Sequence, residues 1–443
     1  MIRVSEEAVR RGAANGIWRN RMNARSRRSS RCRRPCLTAP LGVLFLSILV
    51  IPAALHAPRA NASPTPPPET FPVPAHMGLT LGGKGELLLD GKPYRGIGVD
   101  YYSLFSSLLA DPSSTAYVSG LRQLESHHIP FVRFMATGFW PSDLRLLESN
   151  PHEYWRLMGD VVAEAQRDHI GLIADFFWTT FTVPDLVGEP LDQWGNPASK
   201  TIRFMKSYVA QFMMRFDRSP AIWGYEFGNE YNNAADLPNW RSHLAPVSPK
   251  RGTPTDRTAA DRLTSAEVIV AYKAFAQEIR KFDPYRIIES GNSIDRISAW
   301  HQKYRGSWGT DSESEYASML RYLNPRPFGM TSVHFYPGRK LLPPFKTAGA
   351  YLSFLNGLAR TNGRPLFIGE FGVPGRASAA KRQEFRSLLE AVIGSGAPLA
   401  ALWVYDDPKL PTWNATFSNG RAYQLLEVAQ ADASLDGAPK PSP

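Results

Sequence analysis

Apolar runs of six to nine residues recur eight times along the chain, at 95–100, 130–135, 170–176, 221–229, 285–291, 329–336, 365–370 and 399–405. Each is short enough for a strand and rich in β-branched or aromatic residues, as in Pro-Phe-Val-Arg-Phe-Met and Pro-Leu-Phe-Ile-Gly-Glu. Between them the apolar positions change to helical spacing. Ile202, Met205, Val209, Phe212 and Phe216 form one stripe, and Phe385, Leu388, Leu389, Val392 and Ile393 another. Val268, Tyr272, Phe275 and Ile279 form a third, behind the capping box Thr264-x-x-Glu267. The stripes read as core-facing helix surfaces. Strands alternating with helices predict parallel βαβ units. Eight such units predict a closed (β/α)8 TIM barrel of the α/β class, although the pattern alone also fits an open doubly wound sheet. Ahead of the first unit, Asp90-Gly91 between apolar positions predicts a type I′ turn and a short N-terminal β-hairpin.

The flanks read differently. Residues 1–36 hold eleven Arg against Glu6 and Glu7, and an apolar run follows from Leu41 to about Leu55. Ala60-Asn61-Ala62 then offers small residues at both key positions of a cleavage site. This is the order of a secretory signal peptide with a long basic leader, expected over 1–62. The apolar run is short for a membrane span of ~20 residues. The protein is therefore expected to be secreted or periplasmic, with an uncleaved N-terminal anchor as the alternative, the one case that brings it to a membrane. Residues 63–75 read as a Pro-rich linker, 76–430 as one catalytic domain, and 431–443 as a disordered tail.

Charge and cysteine content follow from the leader. It and Arg59 carry ten of the eleven net positive charges, so the body is nearly neutral and offers nucleic acid no basic surface. Both cysteines, Cys32 and Cys36, precede the cleavage site, which leaves a processed chain without disulfide or thiol chemistry. Eleven Trp serve equally as sugar-stacking faces or as packing. No cofactor is expected, and a monomer is.

In a β/α barrel the chemistry lies at the C-terminal ends of the strands. The polar residues there are Asp100, Arg133, Asn229, Glu230, His334, Tyr336, Glu370, Trp403 and Asp406-Asp407. Glu230 and Glu370, on the fourth and seventh strands, face each other across the barrel mouth. Glycoside hydrolysis needs such a pair, one carboxylic acid to protonate the leaving oxygen and one carboxylate to attack. Repulsion between them is expected to raise the pKa of the acid. Arg133 sits inside an apolar strand, where a guanidinium needs a carboxylate partner. Glu370 is the expected partner, and an ordinary structural ion pair is the alternative. Glu226, deeper in its strand, reads as structural. His334 and Tyr336, two apart on a strand, point the same way.

Trp223-Gly-Tyr-Glu-Phe-Gly-Asn229-Glu230, Ser332-Val-His334-Phe-Tyr336-Pro, Phe367-Ile-Gly-Glu370-Phe-Gly372 and Leu402-Trp403, with Phe131-Val-Arg133-Phe, resemble glycoside hydrolase family 5, the cellulase and mannanase family. The resemblance spans nearly all of 85–425. It implies a retaining hydrolase of β-linked poly- or oligosaccharides, with Glu230 as acid/base and Glu370 as nucleophile. It also implies that Asn229 holds the 2-hydroxyl of the reacting sugar and that Arg133 and Tyr336 bond the nucleophile. His334 then supports the acid/base side, and Trp403 stacks under the sugar. The family often carries a histidine in an Asp-x-His arrangement at the end of the third strand. Here Asp175-Phe-Phe177-Trp178 puts Phe177 there, which bears on substrate preference, and Trp178 is expected to add a stacking surface. So are the loop residues Trp140, Trp194, Trp240 and Trp308, with packing as the alternative.

A β-1,4-glucan is the first expected substrate and β-mannan the second. Two readings from other classes compete. A non-catalytic glycan-binding barrel has no need of an intact carboxyl pair. A metal-dependent hydrolase barrel needs a His-x-His on the first strand, which instead ends Val99-Asp100-Tyr101, so no metal site is expected. Specificity is expected in the long segment 231–263, which holds Asn232, Asn233, Trp240 and Arg241.

Overall fold

The computed structural model describes residues 73–435. The signal peptide and most of the linker lie outside them.

Eight parallel strands form a nearly closed barrel: β4 (Gly96–Asp100), β5 (Phe131–Met135), β6 (Gly171–Asp175), β7 (Ile222–Glu226), β8 (Ile287–Glu289), β9 (Thr331–Phe335), β10 (Leu366–Phe371) and β11 (Leu399–Leu402). Their order around the barrel is β8-β7-β6-β5-β4-β11-β10-β9. The seam between β8 and β9 is tied by Gly329 N, which donates to Ile288 O at 2.8 Å. Each expected strand is present, within a few residues of its expected ends. These strands are legible because nearly all their residues are buried, the outward set against helices and the inward set in the barrel.

The helical stripes are where the spacing puts them. Helices Lys200–Phe216, Ser265–Ile279 and Ala379–Gly394 bury Met205, Val209 and Phe212, then Tyr272 and Phe275, then Phe385 and Leu388. The Thr264 box closes as expected: Thr264 N donates to Glu267 Oε2 at 2.7 Å and Glu267 N to Thr264 Oγ1 at 3.4 Å.

Two boundaries differ from expectation. The N-terminal hairpin is part of a three-stranded antiparallel sheet, β1 (Leu79–Leu81), β2 (Leu87–Leu89) and β3 (Lys92–Pro93). Asp90 and Gly91, with φ of 50° and 81°, turn between β2 and β3 as a type I′ pair should. Val73, counted in the linker by composition, is already buried. At the other end the disordered tail does not begin at 431, because helix Ala422–Leu435 continues and buries Ala431 and Asp432. Asp432 Oδ1 accepts from Ile97 N at 2.6 Å and so holds the start of β4.

The barrel interior is layered, as the two-residue alternation of inward side chains requires. Its floor is apolar: Phe131, Ile173, Ile287, Met330, Phe367 and Leu399 pack together, and Leu79 and Leu87 of the N-terminal sheet close it from below. One step up lie Asp100, Arg133, Asp175, Glu226, Glu289 and His334, all fully buried. The rim is aromatic, with Trp178, Tyr336 and Trp403 against Met135 and the partly buried Tyr102. A concavity of about 730 Å³ lies beside the N-terminal sheet, on the opposite face. Its lining includes Arg280, Arg326 and Arg364 but no carboxylate, so it does not suit the reaction.

Candidate active site

Local backbone places both carboxyl groups. After β7 the chain passes through Asn229, whose N donates to Trp178 O at 3.2 Å, to Glu230, whose N donates to Gly291 O at 2.8 Å. Glu230 has φ 54° and ψ 34°, a left-handed conformation uncommon for a residue with a side chain. Such conformations gather at functional sites, where surrounding bonds impose them. On the facing side, the register of β10 against β9 shifts between Ile368 and Glu370. The shift re-aims Glu370 into the mouth. Gly369 at the shift also makes room, since a Cβ there would lie 2.9 Å from His334 Nε2.

The result brings the expected residues together. A carboxylate oxygen of Glu230, one of Glu370 and a ring nitrogen of His334 all lie within 4.8 Å of one another. His334 Nδ1 stands between the carboxyls, 3.2 Å from Glu230 Oε1 and 3.4 Å from Glu370 Oε2. Tyr336 donates its hydroxyl to Glu370 Oε2 at 2.6 Å. Arg133 Nη1 donates to Glu370 Oε1 at 3.0 Å, and Nη2 to Asn229 Oδ1 at 2.8 Å. Arg133 thus orients both the expected nucleophile and the expected 2-hydroxyl ligand.

Glu370 is not the sole partner of Arg133, however. Nε donates to both oxygens of Glu226 at 2.9 Å, and Nη2 also bonds Glu226. Nη1 reaches Asp100 Oδ1 at 2.8 Å and Nη2 reaches Asp175 Oδ2 at 3.3 Å. Four carboxyl groups therefore share one guanidinium, and the structural and catalytic readings of Arg133 both hold.

This sharing shifts the electrostatics away from expectation. Burial raises Glu370, and the Glu230 charge adds to it, against the lowering by His334, Arg133 and the Tyr336 hydroxyl. Burial also acts to raise Glu230, but the His334 hydrogen bond and charge, with Arg339 and Ser293, leave it lowered. Of the pair, the raised group is thus Glu370 rather than Glu230. The physical reason is that Arg133 divides its charge among four carboxyls, while His334, which lowers both groups, hydrogen-bonds Glu230, and Arg339 adds to Glu230.

The aromatic residues divide. Trp403 stacks with Trp178 at 5.9 Å, and Tyr102 lies 5.2 Å from Trp178 and 5.6 Å from Trp403. The Arg133 guanidinium sits 4.7 Å from the Trp178 ring centre. Trp178 is 5% exposed and Trp403 6%, so each is part of a packed wall with little free face. Phe177 points away, among Trp194, Tyr208, Phe227 and Phe275. Of the loop tryptophans, Trp140 and Trp194 are packing residues, Trp240 is half-buried under Arg241, and Trp308 is exposed.

Sequence reasoning placed Asn233 only within the specificity segment and passed over Arg339 and Glu289. Asn233 Nδ2 donates to Glu230 Oε2 at 2.9 Å. Arg339, after β9, donates from Nη1 to Ser293 Oγ at 2.8 Å beside Glu230. Glu289 had a signal, its two-residue offset from Ile287 on a buried strand. Asn233 lies in the four-residue helix Tyr231–Ala234, too short to show a periodicity, and Arg339 lies on a loop.

A β/α barrel with two carboxyl groups facing across its C-terminal mouth is the plan of a barrel glycoside hydrolase. The family model described as Cellulase (glycosyl hydrolase family 5) matches residues 135–406, and the chain belongs to that family of O-glycosyl hydrolases. Its barrel is similar to an endo-1,4-β-mannanase from Rhizomucor miehei, with a TM-score of 0.58 and 15% identity over 81% of this chain and 99% of that one. An endo-β-1,4-mannanase from Thermotoga petrophila gives 0.53 and 15%, covering 78% of each chain. An exo-β-1,4-mannosidase from an Opitutaceae bacterium, strain TAV5, gives 0.54 and 15% over 80% of this chain and 63% of that one. Comparison with curated proteins finds no significant sequence match.

Proposed function

We propose that the protein is a retaining hydrolase of β-1,4-linked glycans, with β-mannan ahead of β-glucan as substrate. The observation that carries the reaction is the separation of Glu230 and Glu370, with oxygens within 4.8 Å. Retention goes with carboxyl groups about 5–5.5 Å apart, whereas inversion needs roughly 6.5–9.5 Å to admit a water. The placing of mannan first rests on the similar structures, whose names specify mannan or mannosides; the sequence on its own favoured glucan.

In this reading Glu370 attacks the anomeric carbon while Glu230 gives its proton to the departing oxygen. The C–O bond breaks and a glycosyl ester forms on Glu370. Glu230, now ionised, takes a proton from water as that water attacks the anomeric carbon and releases Glu370. Tyr336 and Arg133 hold the attacking carboxylate, and Asn229, fixed by Arg133, meets the 2-hydroxyl. Burial and the Glu230 charge raise Glu370, so the contacts of Arg133 and Tyr336 are what oppose its protonation during the first step.

The test is turnover of the chain from Ser63 on soluble mannans, glucans and xylans, with the anomer of the fresh product resolved. A β-anomer from mannan supports the proposal. An α-anomer overturns the nucleophile, and β-product from glucan alone overturns the choice of polymer. Glu370→Gln should be folded and without turnover.

A further inference from the structure

The belt beneath the nucleophile holds more carboxyl groups than its one guanidinium can neutralise. Register explains the crowding. Asp175, Glu226 and Glu289 are direct cross-strand partners on β6, β7 and β8, and Asp100 pairs with Arg133 across β4 and β5. All five side chains are fully buried. The Asp175 and Glu226 carboxyls are within hydrogen-bonding reach of each other, and so are those of Glu226 and Glu289. Two carboxylates have only acceptors to offer, so such contacts bind only when one of each pair carries a proton. Two oxygens point the same way: Asp175 Oδ1 and Glu289 Oε1 are buried with no N–H or hydroxyl partner among the described residues. Glu226 is the natural recipient, since three of the contacts of Arg133 go to it.

We propose that Asp175 and Glu289 are held as neutral carboxylic acids that donate their protons to Glu226 from either side, making them positioning residues for the reaction. Gripped between two donors, Glu226 is fixed against Nε and Nη2 of Arg133. The guanidinium is then free to turn its remaining N–H groups to Glu370 and Asn229. The directions of titration agree with this arrangement. Burial first, then the charge of Glu226, raise Asp175 and Glu289 well above the usual range. Glu226, despite burial, is drawn down to about 2 by Arg133 and the two neighbouring carboxyls.

The other groups facing the belt leave this balance in place. Asp100 is raised by burial. His334 shares the belt, Glu370 and Tyr336 stand above it, and Tyr231 and Tyr272 approach from the helical side; burial pushes up the titration of all three tyrosine hydroxyls. Among the described residues of the belt Arg133 is the one guanidinium or ammonium group, and the His334 imidazole is turned to Glu230 and Glu370 rather than to Glu226. Rising pH therefore adds an uncompensated charge that competes with Glu370 for Arg133. Carboxyls raised in the folded state give stability that is complete below their unfolded pKa, near ~4, and is lost as pH climbs through the folded value.

The experiment compares Asp175→Asn and Glu289→Gln with the parent. An amide keeps the donor toward Glu226 and does not titrate. The expected result is that the alkaline limb of kcat/KM moves up by about one pH unit or more in at least one variant. The fall in folding stability above pH ~4 should also flatten. Glu226→Gln should instead lose stability across the range, because it leaves Arg133 short of its counter-charge. The stability measurement needs no substrate, so it stands apart from the choice of reaction. Should one variant not fold, the infrared carbonyl band of protonated buried carboxyls at neutral pH is compared between the parent and the other variant, which should have lost intensity. Absence of that loss, or pH profiles and stability slopes equal to the parent in both folded variants, overturns the proposal.

Discussion

Glu230 and Glu370 are chemically the same side chain, and only their surroundings separate them. Glu370 is raised by burial and by the charge of Glu230, while Glu230 is lowered by His334 and Arg339 against its own burial. Replacing Glu230 with Gln removes one of the raising influences on Glu370. The Glu370 carboxylate should then persist to lower pH, and the acid limb of glycosyl-ester formation should shift downward. The check uses an aryl glycoside whose leaving group needs no protonation, so that the first step survives without the acid. Natural substrates, which do need it, should slow by ~10²–10⁴-fold. An unmoved acid limb would show that Glu230 does not bear on the titration of Glu370. The same variant should regain turnover with azide, which attacks the ester without a general base. Local sequence put both carboxyls at strand ends and expected the raised group to be the acid, Glu230, whereas the surroundings raise Glu370 and lower Glu230. That ranking depends on Arg339 and His334, separated from Glu230 by about a hundred residues of chain.

At the scale of elements, β10 shows how a strand aims a catalytic group. Its register shift at Gly369 and the packing of His334 against that glycine are one device. His334 is fully buried between two carboxyls and has no room to retreat. Gly369→Ala should therefore displace the imidazole and lower kcat by about tenfold or more, the rate equivalent of ~1.4 kcal/mol. The fold should persist, because the added methyl meets the tip of one side chain rather than backbone. Unchanged kcat in a folded variant would show that the position of His334 has slack. The strands themselves were legible from composition, since burial on both faces enforces apolar runs. Their register was not. The pairing of Asp175 with Glu226 and of Glu226 with Glu289 joins residues far apart in sequence, and a shift of one residue would have sent them to the helical layer. The end of helix Ala422–Leu435 escaped for a related reason. Its Ala-Asp-Ala-Ser composition looks like a tail, and it is held by contacts such as Asp432 with Ile97.

For the whole molecule, the layered interior divides labour along the barrel axis. The apolar floor and the N-terminal sheet supply stability below, and the charged belt and aromatic rim position the chemistry above. Leu79, fully buried where the sheet meets the floor, is far from the carboxyl pair. Leu79→Ala should cost ~2–5 kcal/mol of stability. Measured below the melting transition, it should leave KM and kcat near the parent values. A large change in KM would mean that the floor is coupled to the mouth. The sheet also sets where a processed chain can begin. Val73 is buried and β1 starts at Leu79, so a cut after Ala62 leaves the whole folded domain attached to a ten-residue proline-rich lead. Among the described residues no helix is long and apolar enough to cross a membrane. In the sequence, the basic leader, the apolar run and Ala60-Asn61-Ala62 stand ahead of the domain in the order of an export signal. We therefore propose export with cleavage after Ala62. Expression of the full chain in a bacterial host, followed by N-terminal sequencing of protein recovered outside the cytoplasm, should read Ser63-Pro-Thr-Pro. Recovery of an intact leader in the membrane fraction would mean that the Leu41–Leu55 run is a retained anchor, and that the barrel works tethered at the length of its proline-rich linker.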